Sequence, residues 1–391
     1  MPTTQLKIAL IHDCLREYGG AERVVEHFHT IWPDAPLYTS FVDYTSLGRH
    51  ADRFKGWTIH ESWVARWPFI KRWISPLRFL VPTIWSGFDL SGYDVVLSSS
   101  GWFMCRGVTV KKPAVHLCYI HHPPRNLYGY ATGTNFTKYP IIRWYSSILN
   151  FFLRQYDYET AQAVDVFIAN SKETARRVKK FYRRDAIVIY PPIQKPKKNA
   201  NQSGSSISNF KFKISNSTPY YLSVSRLSYA KRIDLLIEVA NTKKLPLIIV
   251  GDGGERRRLE AMAGPTVRFV GSVSDEALGD LYSGAKALLF AALDEDFGMV
   301  PVEAMMHGIP VIGLAEGGVK ETVIDGKTGI LFTTPTPDAL SHAIDRFEKI
   351  SKNHVWAKDC ITFAKGFSEE IFSKKVKQLV NKVTSLQEVK K

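Results

Sequence analysis

Ala287–Gly313 reads ALLFAALDEDFGMVPVEAMMHGIPVIG, and the fold of the chain follows from it. An uncharged run opens the stretch, as a strand buried on both faces requires. An acidic loop with one glycine follows, then a segment of helical periodicity, then a second uncharged run. The order is strand, loop, helix, strand. Val300, Ala304 and Met305 fall on one helical face, Pro301 sits in the first turn where a missing N–H is tolerated, and Gly308-Ile309-Pro310 ends the helix. Glu295 stands before the turn and Glu303 eight positions later, inside the helix. Gly298, Met299 and Val300 offer backbone N–H groups at the positive end of the helix dipole. Such a place binds an anion, with two carboxylates beside it to grip hydroxyls.

The same alternation extends in both directions. Upstream, YYLSVSRLSYAKRIDLLIEVA from Tyr220 is again strand, loop and helix, and Arg226 and Lys231 flank its loop, spaced to converge on one anion. LIIVGDGGE at 247–255 and VRFVGSV at 267–273 are further strands with glycine turns. Near the start, Lys7–Ile11 reads as a buried strand, and Gly19-Gly20 separates it from a helix over Ala21–Phe28. Tyr93–Ser99 and Val115–Ile120 are buried strands, the second delivering His121, His122, Pro123, Pro124 and Arg125 at its end. VFIANS ends at Ser171, placed to cap the helix KETARRVKKF, whose bases read as a solvated face. Two runs of strand–helix alternation predict an α/β chain of two doubly wound domains. Residues 1–193 form the first, 194–218 a linker rich in Lys, Asn and Ser, 219–366 the second, and 367–391 a basic amphipathic C-terminal helix.

Composition agrees with this division. A chain of 391 residues exceeds one ordinary core, and 45% hydrophobic content fills two. The net charge of +15 calls for an acidic partner: a nucleic acid, an anionic membrane surface or a phosphate-bearing substrate. Cys14, Cys105, Cys118 and Cys360 are scattered, which argues against a zinc site or a disulfide framework. No nucleic-acid recognition motif accompanies the charge. The opening MPTTQLKIALIHD has too short an apolar run for a secretory signal, and a cytoplasmic protein peripheral to the inner face of the membrane is expected.

The string E-x7-E with F-G-M inside it, and the helix leading to H-G-I-P-V-I, resembles the donor-site signature of glycosyltransferase family 4, retaining enzymes of the GT-B fold. The resemblance implies two Rossmann-like domains facing across a cleft that holds a nucleotide diphosphate sugar. It assigns Glu295 to the transferred sugar, Glu303 to the ribose, and Arg226 and Lys231 to the diphosphate, with Gly298, Met299 and Val300 beside them. It sets the Gly19-Gly20 loop against the same diphosphate, and Gly317-Gly318 and Glu321 in the loop behind it. Backbone near Val270 and Ser272 is assigned to the base. The HHPPR segment is similar to that of GDP-mannose-dependent mannosyltransferases, so His121 takes the place of their active-site histidine. His122 replaces a small hydroxyl residue of that subset, and Gly129 stands where it often has an acid. The C-terminal helix is expected to return to the first domain.

The implied activity is transfer of a hexose, mannose first and with a UDP-sugar as the runner-up donor, to a lipid-linked or polysaccharide acceptor, with retention and without metal or cofactor. A two-carboxylate glycosidase mechanism needs a second acid beside the anomeric carbon, and Glu295 alone is a candidate there. Front-face attack, with the departing phosphate as base, is what the resemblance implies instead. A GT-B epimerase, a sugar phosphorylase and a non-catalytic sugar-nucleotide-binding protein share the fold and remain alternatives.

Trp63–Trp85 reads WVARWPFIKRWISPLRFLVPTIW, with four tryptophans and no acid. Pro68, Pro76 and Pro82 break it into pieces too short to cross a bilayer. Trp63, Trp67, Trp73 and Trp85, interleaved with Arg66, Lys71, Arg72 and Arg78, predict short helices lying on an anionic membrane surface, the alternative being tryptophans in the core.

Overall fold

Each uncharged run identified above becomes a strand of a parallel sheet in the computed structural model, which describes residues 6–132, 139–194 and 219–388. Among these residues the strands are β1 (Ile8–His12), β2 (Leu37–Thr39), β3 (Ile59–Glu61), β4 (Val95–Ser100), β5 (Val115–Ile120), β6 (Val166–Ala169), β7 (Ala186–Val188), β8 (Tyr220–Val224), β9 (Leu247–Val250), β10 (Val267–Gly271), β11 (Ala285–Phe290), β12 (Val311–Leu314) and β13 (Gly329–Phe332). They make a seven-stranded sheet, β3-β2-β1-β4-β5-β6-β7, and a six-stranded sheet, β10-β9-β8-β11-β12-β13. Strand order reverses between β1 and β4 in one sheet and between β8 and β11 in the other. At such reversals the loops leaving the carboxyl ends of adjacent strands diverge, and ligands bind in the opening.

The chain divides into two compact units. The described part of the first runs to Tyr130, resumes through Pro192 and takes in the helix Glu369–Glu388; the second holds Ala131, Thr132 and Ile193–Ser368. The 194–218 linker lies outside the described residues apart from Gln194.

Alternation along β1 shows why the first sheet is covered on both sides. Ile8 and Leu10 pack with Val24, Phe28 and, from the C-terminal helix, Phe372 and Val376. Ala9 and Ile11 point the other way, onto Ile70, Ile84, Trp85 and Leu153. Phe372 ties the returning helix down, with its ring 5.5 Å from Phe28 and 5.9 Å from Tyr119. Truncating it to alanine removes a buried aromatic, a change that costs about 3–5 kcal/mol.

Two expectations need correction. Trp85 is fully buried, its indole N–H donating to the Phe103 carbonyl at 2.8 Å, so it belongs to the core; Trp63, Trp67 and Trp73 remain exposed. The cause is local: the helix Val81–Ser86 turns Val81, Ile84 and Trp85 inward as one face. Nor is the basic run of the helix Lys172–Tyr182 wholly solvated. Arg177 is buried, 2.9 Å from Glu173 and stacked over the Tyr130 ring, because the i, i+4 acid neutralises it.

Candidate active site

In the second unit, the loops leaving β8 and β11 meet where the strand order reverses. Lys231 Nζ lies 2.6 Å from Glu295 Oε2, both side chains being partly buried. Backbone bonds hold the loops that carry them. Leu293 N–H donates to the Ala230 carbonyl at 2.8 Å, and Gly318 N–H to the Glu295 carbonyl at 2.8 Å. Glu316 Oε1 accepts the Asp294 N–H at 3.0 Å. A Cβ on Gly317 would stand 1.9 Å from the Glu295 carbonyl oxygen, and its φ of +58° lies in the left-handed region. Only glycine fits there, so the Gly317-Gly318 turn fixes the backbone of Glu295.

Gly298, at φ +86°, caps the helix Met299–Met306. The N–H groups of Met299 and Val300 stand in its first turn, outside the helix's own hydrogen-bond ladder, and Pro301 has none to give. Pro301, Val302, Ala304 and Met305 are buried, whereas Val300 is half-buried, so burial starts one residue later than the expected stripe. Glu303 is half-buried and its Oε2 lies 3.4 Å from the Tyr282 hydroxyl, whose ring stacks on His307. Arg226 is exposed on the loop that also carries Lys231. Cation, carboxylate and helix start therefore gather at one strand-order reversal; Glu303 sits on the same helix one turn deeper.

In the first unit, the reversal between β1 and β4 is built around Asp13. Its carboxylate accepts N–H groups of Gly101 at 2.9 Å, Phe103 at 3.0 Å and Cys105 at 2.9 Å, shaping the loop after β4. Beside it runs a buried chain of polar groups. Glu22 accepts the Gly19 N–H at 2.9 Å and lies 3.4 Å from His12 Nε2. His12 Nδ1 is 3.3 Å from Ser99 Oγ, which is 2.7 Å from His121 Nε2. Burial opposes charge on both ends of the His12–Glu22 contact. The hydrogen bond and mutual attraction win, leaving the His12 pKa raised and the Glu22 pKa lowered. His121 is thus linked through Ser99 and His12 to the acid that anchors Gly19, at the start of the helix Gly20–Ile31. His122 Nδ1 lies 3.0 Å from the Pro123 carbonyl, and its ring stands near Gly101.

Sequence reasoning missed Asp13, His12, Glu22 and Ser99. Only the position of Asp13 directly after a buried strand signalled it; its partners are about ninety residues away.

Two family models match the chain: glycosyltransferase family 4 over residues 18–195 and glycosyl transferases group 1 over residues 205–367. The glycogen synthase of Thermus thermophilus is 35% identical over 146 residues, 34% of this chain and 32% of that protein. The GDP-mannose-dependent alpha-mannosyltransferase of Mycobacterium tuberculosis is 33% identical over 126 residues, 31% of this chain and 33% of that protein. The aligned stretch thus spans about a third of the length of these curated relatives. Among solved structures, Anabaena HepE in complex with UDP and glucose superposes with a TM-score of 0.71 at 19% identity, over 96% of this chain and 100% of that one. Sucrose-phosphate synthase from Thermosynechococcus elongatus gives a TM-score of 0.73 at 19% identity, over 98% and 100%. These likenesses show the fold, which is of the GT-B class. With its two halves matched in turn, the chain belongs to glycosyltransferase family 4.

Proposed function

We propose that this chain is a retaining hexosyltransferase that takes mannose from GDP-mannose, without metal or cofactor, and passes it to a lipid-linked or growing polysaccharide acceptor at the inner face of the membrane. The contact that carries this reading is Lys231 with Glu295, a cation and a carboxylate held together beside a helix start.

Transfer breaks the bond from C1 to the leaving phosphate oxygen and forms one from C1 to the acceptor oxygen on the same face. The acceptor's proton passes to the departing phosphate, and the nucleoside diphosphate leaves. Negative charge therefore grows on the diphosphate as the bond breaks. Lys231, Arg226 and the N–H groups of Met299 and Val300 supply fixed positive charge for it, and such pre-organised donors act most strongly in the transition state. Glu295 accepts a hydroxyl of the sugar and Glu303 the ribose hydroxyls. The family resemblance adds His121 and the Gly19-Gly20 loop to the reading. Support for mannose comes from the HHPPR segment and the mycobacterial relative.

A thermal-shift panel of GDP, UDP and ADP, with and without EDTA, tests this reading. A nucleotide at about 100 times its dissociation constant adds about 2.7 kcal/mol of apparent stability. GDP should raise the melting temperature most, and EDTA should leave the shift unchanged. No shift with any nucleotide refutes donor binding, and a shift abolished by EDTA refutes the metal-free mechanism. Turnover of the sugar nucleotide in the absence of any acceptor points instead to an epimerase.

A further inference from the structure

The helix Pro140–Ala163 is apolar on both of its faces as far as Phe152. Leu149, Leu153 and Ala161 are buried against the first unit. On the opposite side Ile141, Trp144, Ile148, Phe151 and Phe152 are all exposed, Ile141 by 82% and Trp144 by 69%. Their spacing of three and four residues lines them up as one stripe along the helix. The segment after β3 behaves alike: Val64, Ile70 and Ile74 fill the core, while Trp67, Phe69 and Trp73 stay exposed. The Tyr145 hydroxyl donates to the Pro76 carbonyl at 2.5 Å, joining helix and segment into one surface.

The charge on that surface is predominantly basic. Arg66 and Arg72 of the segment and Arg143 beside the stripe are exposed, and residues 62–88 and 139–156 contain no acid, the first exposed acid further along the helix being Glu159. Lys71 is partly offset by Asp43, 3.7 Å away. So much exposed apolar area on one face marks a contact surface. A second copy fits it poorly, since a two-fold contact sets each patch against itself and brings arginine towards arginine. Anionic phosphates above an acyl layer satisfy both the cations and the aromatic stripe.

We infer that this surface lies on an anionic lipid bilayer, with the first half of the helix Pro140–Ala163, as far as Phe152, along the membrane plane. Trp144, Phe151 and Phe152 enter the boundary between headgroups and chains, and Arg66, Arg72 and Arg143 meet lipid phosphates. Among the described residues no helix is long and apolar enough to cross, so attachment is to one leaflet. The inference rests on the proposed function only for its use, as the place where a lipid-borne acceptor is met; lipid binding itself needs no donor.

Co-sedimentation with vesicles of phosphatidylcholine containing phosphatidylglycerol, and of phosphatidylcholine alone, decides it. The parent should pellet with the anionic vesicles and be released by salt. Combining Trp144→Ser, Phe151→Ser and Phe152→Ser should abolish binding, and combining Arg66→Glu, Arg72→Glu and Arg143→Glu should lower partitioning at least about tenfold. All six positions are exposed, so both variants should keep the parent's melting temperature and its nucleotide-induced shift. Parent that stays in the supernatant, or variants that bind as the parent does, would overturn the proposal and leave the donor reading standing. A parent dimer that the serine variant dissociates would assign the surface to a second copy and overturn it equally. Vesicle binding without any nucleotide shift would sink the donor reading alone.

Discussion

Lys231 Nζ lies 2.6 Å from Glu295 Oε2, although the two stand 64 positions apart in the chain. Both side chains are partly exposed, so as an ion pair they contribute at most about 1 kcal/mol to stability. Their proposed contribution to turnover is larger. Lys231→Ala and Arg226→Ala should each raise the barrier by about 2–4 kcal/mol, the range for donors that act on developing charge. Melting temperatures should hardly move. Steady-state rates beside melting curves check this, and wild-type turnover in both variants eliminates the diphosphate assignment.

Glu303 is expected to act on binding rather than on rate. Ribose hydroxyls are held alike in ground and transition states, so Glu303→Ala should weaken nucleotide affinity and leave the saturated rate nearly unchanged. Calorimetric titration with a nucleoside diphosphate and with inorganic pyrophosphate separates the roles. An equal loss of affinity for pyrophosphate would contradict the contact with ribose.

Gly317 gives a test that touches no proposed ligand contact. At φ +58°, with the Glu295 carbonyl oxygen 1.9 Å from a would-be Cβ, Gly317→Ala must shift one loop or the other. Strain and overlap together should cost about 2–5 kcal/mol, and affinity for the sugar nucleotide should fall because Glu295, which holds the sugar, moves. Gly326→Ala is the control, with φ +75° but no atom nearer than 3.8 Å. It should lose about 1–2 kcal/mol of stability and no affinity. Equal affinity losses in the two variants would remove the special role given to the Gly317 turn.

Much of this architecture is legible in the sequence because a strand buried on both faces must be uncharged, as Val115–Ile120 and Ala285–Phe290 nearly are. A loop that follows such a strand at a reversal of strand order has few places to go, which is why Lys231 and Glu295 meet. Other features were hidden for physical reasons. The helix Pro140–Ala163 carries aromatic and aliphatic residues on both faces in its first half, so its periodicity is lost there. Trp63 and Trp85 share a residue type and a neighbourhood; only the turn of a short helix buries one and exposes the other. Asp13 and Glu22 are single acids whose partners, the loop after β4 and His12, are set by tertiary packing.

His12 and His116, both buried in the first unit, should respond to pH with opposite signs. Burial works against a charged His12, but the hydrogen bond to Glu22 and the charges of Glu22 and Asp13 raise its pKa above the ordinary 6.5. Its contribution is then fully present below pH 6.5 and is lost as pH rises through the raised value. His116, 2.9 Å from Ser98 Oγ, is pushed down to about 4, chiefly by burial, with Asp165 opposing and Arg106 and Lys112 assisting. Folding therefore favours its neutral form, and its contribution, present above pH 6.5, is lost as pH falls towards 4. Melting temperature measured against pH for the parent, His12→Gln and His116→Gln checks both signs. His12→Gln should flatten the decline on the alkaline side, and His116→Gln the decline on the acid side, whatever constant offset either substitution adds. Curves that stay parallel to the parent's would mean that neither imidazole changes its proton affinity on folding, and the linked chain from Glu22 through His12 and Ser99 to His121 would lose its charged end.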